Sequence, residues 1–181
     1  MKVEDIMIRN VKCCAPADVL NHAAQIMWEN DCGCVPVVDD DSRTVGILTD
    51  RDICMAAYTQ GRALKDIQVS SAMSREVFVC RSSDDLLTAQ RLMRGHCVRR
   101  LPATDADGKL MGIVSLTDIA RALVGTSTGK AQVATTVVAI CAPHRLHGEH
   151  KLPDVDGELL RAESRRPRSR RTKTSTKGAP D

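Results

Sequence analysis

The sequence predicts an α+β fold in which two strand–helix–strand–strand–helix (βαββα) repeats pack about a pseudo-two-fold axis, followed by a C-terminal helix and a disordered basic tail. Two observations predict it. The stretch Gly46-Ile47-Leu48-Thr49-Asp50-Arg51-Asp52-Ile53 returns 66 positions later as Gly112-Ile113-Val114-Ser115-Leu116-Thr117-Asp118-Ile119. Around it, Met7 returns as Met73, Cys14 as Cys80, Asp18 as Asp84, Leu20 as Leu86, Ala23 as Ala89, Met27 as Met93, Pro36 as Pro102 and Asp39 as Asp105, in unbroken register. Identities that fall on core and turn positions at one fixed spacing indicate a structural duplication. The spacing divides the chain into a first repeat at 1–62, a second at 63–128, a C-terminal helical segment at 129–145 and a tail at 151–181.

Each element has a local reason. Val3 to Met7 reads as a short helical lead-in, and Val11-Lys12-Cys13-Cys14 as an apolar strand stopped by Pro16. Asp18 is placed to cap a helix whose Leu20, Ala23, Ala24 and Met27 form one buried stripe. Asn30, Asp31 and Gly33 end that helix. Cys34 to Val38 reads as a strand, with Pro36 requiring an edge or a bulge. Asp39 to Arg43 reads as a hairpin turn and Thr44 to Leu48 as the partner strand. Asp50 to Thr59 is the closing helix, and Gln60 to Gln68 the connector. After the second repeat, Gly125 to Gly129 reads as a flexible break. Lys130 to Ala142 reads as a helix with Val133, Val137, Ile140 and Cys141 on one face, ended by Pro143 and expected to fold back on the pair or to meet a second chain.

Composition narrows the function classes. A chain of 181 residues cannot hold a barrel of about 250 residues beside two such repeats. Aromatics are 2% of the residues, namely Trp28, Tyr58 and Phe78, so the core must be aliphatic and no aromatic platform for unpaired bases is expected. The N-terminus turns acidic at once and no apolar run reaches the ~20 residues of a membrane span, which predicts a cytoplasmic protein without a membrane partner. Eight cysteines would then stay reduced. From Lys151 onward lie nine basic and five acidic residues, leaving 17 basic against 18 acidic before it, so the basic surplus belongs to the tail.

The chemistry concentrates in the repeated motif. Thr49 with Asp52, and Ser115 with Asp118, have capping-box spacing. A helix N-terminus with free N–H groups, a hydroxyl and a carboxylate can also hold a phosphate and a ribose together. Other signals point less far. Cys32-x-Cys34 with Cys13-Cys14 lacks zinc-knuckle spacing and reads as packed thiols, with a redox pair as the exposed-thiol alternative. Cys141, His144, His147 and His150 recur every three residues, but Pro143 and Gly148 interrupt them, so no metal is assigned. The cluster Arg165-Arg166-Pro167-Arg168-Ser169-Arg170-Arg171 could contact nucleic acid through phosphates or simply solubilise a tail. No nucleophile–base constellation emerges, and no enzyme is predicted.

Two tandem copies of a unit closing in Gly-hydrophobic-hydrophobic-Thr/Ser-x-x-Asp resemble the paired cystathionine-β-synthase (CBS) domains over about residues 3 to 125. The size, and Ala139-Ile140-Cys141-Ala142-Pro143 after the second repeat, resemble the small stand-alone CBS pairs of the hypoxic-response type. The resemblance implies a cleft for an adenine nucleotide (AMP, ADP or ATP) or a related adenosyl ligand such as S-adenosylmethionine. Thr49 and Ser115 match positions that bind phosphate or ribose, and Asp52 and Asp118 match those that bind the ribose hydroxyls. The walls around the base would come from strands carrying Val11, Val35, Val77 and Leu101. Arg99 and Arg100 match basic residues that contact phosphate in some members, where the first repeat has Gly33 and Cys34, so the site of Asp118 is expected to receive the arginines. The implied role is that of a regulatory homodimer acting on an effector protein. A nucleic-acid-associated protein using its tail, or a structural dimer with empty clefts, are the alternatives.

Overall fold

A computed structural model describes residues 1–141, and within them the second repeat forms the expected unit and the first forms it without an opening strand. In the first, α1 (Leu20–Glu29) precedes the antiparallel hairpin of β1 (Cys34–Val38) and β2 (Thr44–Thr49), and α2 (Asp50–Gln60) closes it. In the second, β3 (Cys80–Arg81) precedes α3 (Leu86–His96), β4 (Arg100–Thr104), β5 (Leu110–Ser115) and α4 (Leu116–Leu123), with sheet order β3-β4-β5. A last helix, α5 (Ser127–Cys141), follows. The residues that return in sequence return in structure. Thr49 and Ser115 cap α2 and α4 by the same reciprocal bonds, and both hairpins shift register at matching points, Val37/Val38 and Ala103/Thr104. Each proline pairs in register before the shift, and the Pro36 carbonyl faces Cys14, away from the hairpin partner, so its missing N–H costs the hairpin no bond.

Four expectations need correction. The strand predicted near Val11 is a single parallel bridge, Cys14 with Val37, because only Cys14 both donates to Pro36 and accepts from Val38 before Pro16 turns the chain away. Asp18 does not cap α1; its Oδ2 accepts from the Ala15 N–H at 2.8 Å and closes the preceding turn, as Asp84 does for Arg81. The break at 125–129 is shorter than expected, since α5 begins at Ser127. Its inward face is also different. Gly129, Thr136 and Ile140 are buried, while Val137, Val138 and Cys141 are exposed. Thr136 pays for its burial by donating to Gln90 Oε1 at 3.0 Å, so the helix lies on repeat two, against α3 and α4. Pro143, the histidines at 144, 147 and 150, and the basic tail lie outside the described residues.

The two repeats exchange their lead-ins. Val3 and Met7 are buried in the aliphatic core of the second repeat, with Met93, Leu101 and Ile119. Ile67 and Val69 are buried in that of the first, with Leu20, Val35 and Leu48. Backbone bridges fix both crossings with the same 66-residue symmetry: Ile8 with Ile113 and Ser74 with Ile47, Lys2 with Asp85 and Gln68 with Val19. On the symmetry axis itself Arg43 bridges its own counterpart, Lys109.

These crossings explain the glycine that opens the motif. A Cβ at Gly46 would stand 2.5 Å from Met73 Sδ, and one at Gly112 would stand 2.6 Å from the Ile8 carbonyl oxygen. We expect Gly112→Ala to destabilise the protein by about 1–3 kcal/mol, and Gly46→Ala by less because a flexible thioether can yield, as urea unfolding midpoints will show. Burial and the neighbouring Asp18 and Asp84 carboxylates push the Cys14 and Cys80 thiols up to about 12. In the unfolded chain such thiols ionise near ~8.5. The folded state therefore holds more protons, and stability that is complete below pH ~8.5 should fall as pH rises toward 12. A Cys14→Ala/Cys80→Ala variant should show a flatter decline in urea unfolding across that range.

Candidate functional site

The capping boxes are built as the spacing requires. In the first, Thr49 Oγ1 donates to Asp52 Oδ2 at 2.7 Å, the Thr49 N–H reaches the same oxygen at 2.8 Å, and the Asp52 N–H returns to Thr49 Oγ1 at 3.2 Å. Ser115 and Asp118 repeat this at 2.6, 2.9 and 3.2 Å. The first turn of α2 also spends its remaining donors internally, Asp50 N–H on the Gly33 carbonyl and Arg51 N–H on Asp50 Oδ1. The hydroxyl and helix-end amides that the sequence offered to an anion are thus satisfied within the cap. Positive charge for an anion has to come from side chains instead.

Such side chains converge on the same place. A cavity of about 450 Å³ opens between the repeats, within the range of small-molecule sites. From the first repeat, Ile47, Thr49, Arg51 and Asp52 line it; from the second, Val77 and Phe78 line one part and Cys97, Val98, Arg99 and Arg100 another. Three arginines, the half-buried Asp52, the exposed Glu76 and an apolar wall therefore share one space. Cys34 lines it too, its thiol pushed up by burial and held back in part by the nearby Arg100.

Of the ten residues expected at a site, this cavity gathers Thr49, Asp52, Val77, Arg99 and Arg100. Val35 and Leu101 are fully buried in the two cores and Val11 is half-buried. Ser115 and Asp118 are half-buried and do not line it. Arg99 and Arg100 thus line the cavity of Asp52, across the interface, while Arg100 is also the register partner of Ser115, beside Asp118. The Arg99 carbonyl accepts from Leu116 at the start of α4, and Arg99 also lines the cavity of the other repeat's motif. In the matching positions of the first repeat stand Gly33 and Cys34, and Cys34 pairs with Thr49 as Arg100 pairs with Ser115.

Phe78 was missed. Its ring lines the cavity and stacks on His96, with centroids 3.6 Å apart and planes 12° from parallel. An aromatic content of 2% gave no reason to look for a platform, yet placement matters more than number.

Comparison with known proteins agrees with this architecture. The CBS domain family matches residues 3–58 and 64–125. Hypoxic response protein 1 of Mycobacterium tuberculosis is 32% identical over 142 residues, covering 78% of this chain and 95% of that protein. The CBS domain-containing protein YhcV of Bacillus subtilis is 37% identical over 118 residues, covering 65% and 82%. Among solved structures, Hypoxic Response Protein I with two coordinated zinc ions superposes with a TM-score of 0.62 at 32% identity, covering 67% of this chain and 98% of that one. CBSX2 in complex with AMP superposes at 0.60 with 30% identity, covering 68% and 96%. With the family's domain matched twice in tandem, and the two copies folded around each other's lead-ins, the chain belongs to the CBS-domain family.

Proposed function

We propose that the protein is a non-catalytic regulatory module that binds an adenosine-type ligand bearing phosphate, of the AMP, ADP or ATP class, in the cavity between Asp52 and Arg99–Arg100. The observation that carries this reading is the meeting, in one cavity, of a carboxylate suited to a ribose diol with guanidinium groups suited to phosphate. Val77, Val98 and Phe78 supply apolar surface for the base. That the similar CBSX2 holds AMP supports it. Because both repeats line the cavity, a ligand there bridges them and can bias their relative geometry. Coupling of this kind is typically worth about 1–3 kcal/mol, a 5–150-fold change in the affinity of an effector protein.

We further propose that the module acts as a homodimer. On repeat two, α5 covers α3 and α4. In repeat one Trp28 of α1, the counterpart of Arg94 beneath α5, is 88% exposed, and Tyr58 and Met55 of α2 are exposed as well, Tyr58 at 81%. Exposed aromatics of this kind are characteristic of association surfaces. All eight cysteines are unpaired, which supports a reducing compartment such as the cytoplasm.

Calorimetric titration of the full chain with AMP, ADP, ATP and S-adenosylmethionine tests the ligand reading. We expect saturable binding that Asp52→Ala removes and Asp118→Ala largely spares. Arg100→Ala should weaken phosphate-bearing ligands by about 10–100-fold, as loss of a charge-assisted bond predicts, while leaving uncharged adenosine little changed. No heat from any ligand with folded protein would overturn it. For the dimer, sedimentation should show a dimeric wild type, and a Trp28→Asp/Tyr58→Asp variant that is folded and monomeric.

A further inference from the structure

Outside the cavity, one group of side chains departs from the symmetry of the repeats. Cys14 Sγ, a carboxylate oxygen of Asp18 and a ring nitrogen of His22 lie within 4.8 Å of one another. They come from the bridge residue beside β1, the turn after Pro16 and the first turn of α1, at a constant spacing of four. Cys14 is 1% exposed, whereas His22 is at the surface.

The second repeat supplies a control within the same molecule. Cys80 and Asp84 repeat the cysteine and the aspartate, and Asp84 closes its turn as Asp18 does. The thiol–carboxylate pair is therefore part of the fold in both halves. Two things differ. Position 88, the counterpart of His22, is a threonine whose N–H is taken by the Asp85 cap at 2.7 Å. And Cys80 Sγ donates to the Pro102 carbonyl at 3.8 Å, while Cys14 Sγ, equally buried, forms no hydrogen bond among the described residues. A buried thiol without a partner, facing a carboxylate and an imidazole, is thus peculiar to repeat one.

We propose that Cys14, Asp18 and His22 form a three-ligand site for a borderline-soft divalent cation of the zinc class. Sulfur, carboxylate oxygen and imidazole nitrogen are the ligand set such an ion takes, and three protein ligands leave a fourth position for water. With metal–ligand distances of about 2.0–2.3 Å, tetrahedral ligand atoms stand roughly 3.3–3.8 Å apart. Rotation of the exposed His22 side chain supplies the approach. Asp18 keeps Oδ2 on the Ala15 N–H and has Oδ1 for the ion. On binding, the Cys14 S–H proton passes to solvent and the sulfur–metal bond takes its place. The positive end of α1 opposes a cation weakly, against two anionic ligands. The site would also brace the crossing of the lead-ins, because the Asp18 carbonyl accepts from the Val69 N–H at 2.7 Å.

The test uses the reduced full chain, with Zn(II) under chelator competition and Co(II) as a spectroscopic probe. The wild type should bind one ion more tightly than the His22→Ala variant by at least about tenfold, and Cys14→Ala should lose a sulfur-to-cobalt charge-transfer band. His22 is exposed, so its variant remains informative if Cys14→Ala fails to fold. Equal zinc affinity and stoichiometry in wild type and His22→Ala, or no zinc retained by the wild type at micromolar concentration, would overturn the proposal.

Discussion

The close passage of each lead-in over the opposite β-hairpin is the constraint from which the rest of this structure follows. A strand segment can run against Gly46 or Gly112 only because no side chain stands there. Once it does, the apolar residues before and after the crossing are committed to the opposite core, Met7 on one side and Ile67 and Val69 on the other. Neither core is then complete in its own repeat. The cavity is a consequence of the same passage, since Val77 and Phe78 follow the crossing and are carried to the mouth of the other repeat's capped helix.

The capping boxes and the cavity divide the work that the motif alone was expected to do. Thr49 and the first amides of α2 are satisfied within the cap, which fixes the Asp52 carboxylate in place without leaving donors for an anion. Positive charge in the cavity comes from Arg51, Arg99 and Arg100, the last two supplied by the other repeat. A capped acceptor from one repeat and charged donors from the other suit a ligand with a sugar at one end and an anion at the other.

Most of the fold was legible because it is local and repeated. Helix faces such as Leu20–Ala23–Met27, the hairpins and the caps each follow from residues a few positions apart, and seeing each twice removed the ambiguity. What sequence reasoning misplaced depends on distant partners. Thr136 is buried because Gln90, 46 positions away, accepts its hydroxyl, so an apolar-face argument assigned Val137 inward instead. Arg99 was assigned to Asp118 because both belong to one repeat, and that pairing gave no sign that it also lines the cavity of Asp52. Phe78 escaped notice because its value lies in where the crossing puts it. The regular spacing of Cys14, Asp18 and His22 was visible throughout, but a spacing of four straddling a bridge, a turn and a helix has no meaning until the turn after Pro16 is known.

The exchange of lead-ins also says something about origin. Two identical single-repeat chains that traded their N-terminal segments across a true two-fold axis would show these same bridges, with Arg43 and Lys109 as one residue meeting itself. Joining such chains end to start requires only a tether from the closing helix of one to the lead-in of the next, which is where Gln60 to Gln68 runs. Within one chain the two copies are free to differ: Arg99 and Arg100 stand in one where Gly33 and Cys34 stand in the other. An obligate symmetric dimer must carry every feature twice, whereas the fused pair can afford a different chemistry on each side of its axis.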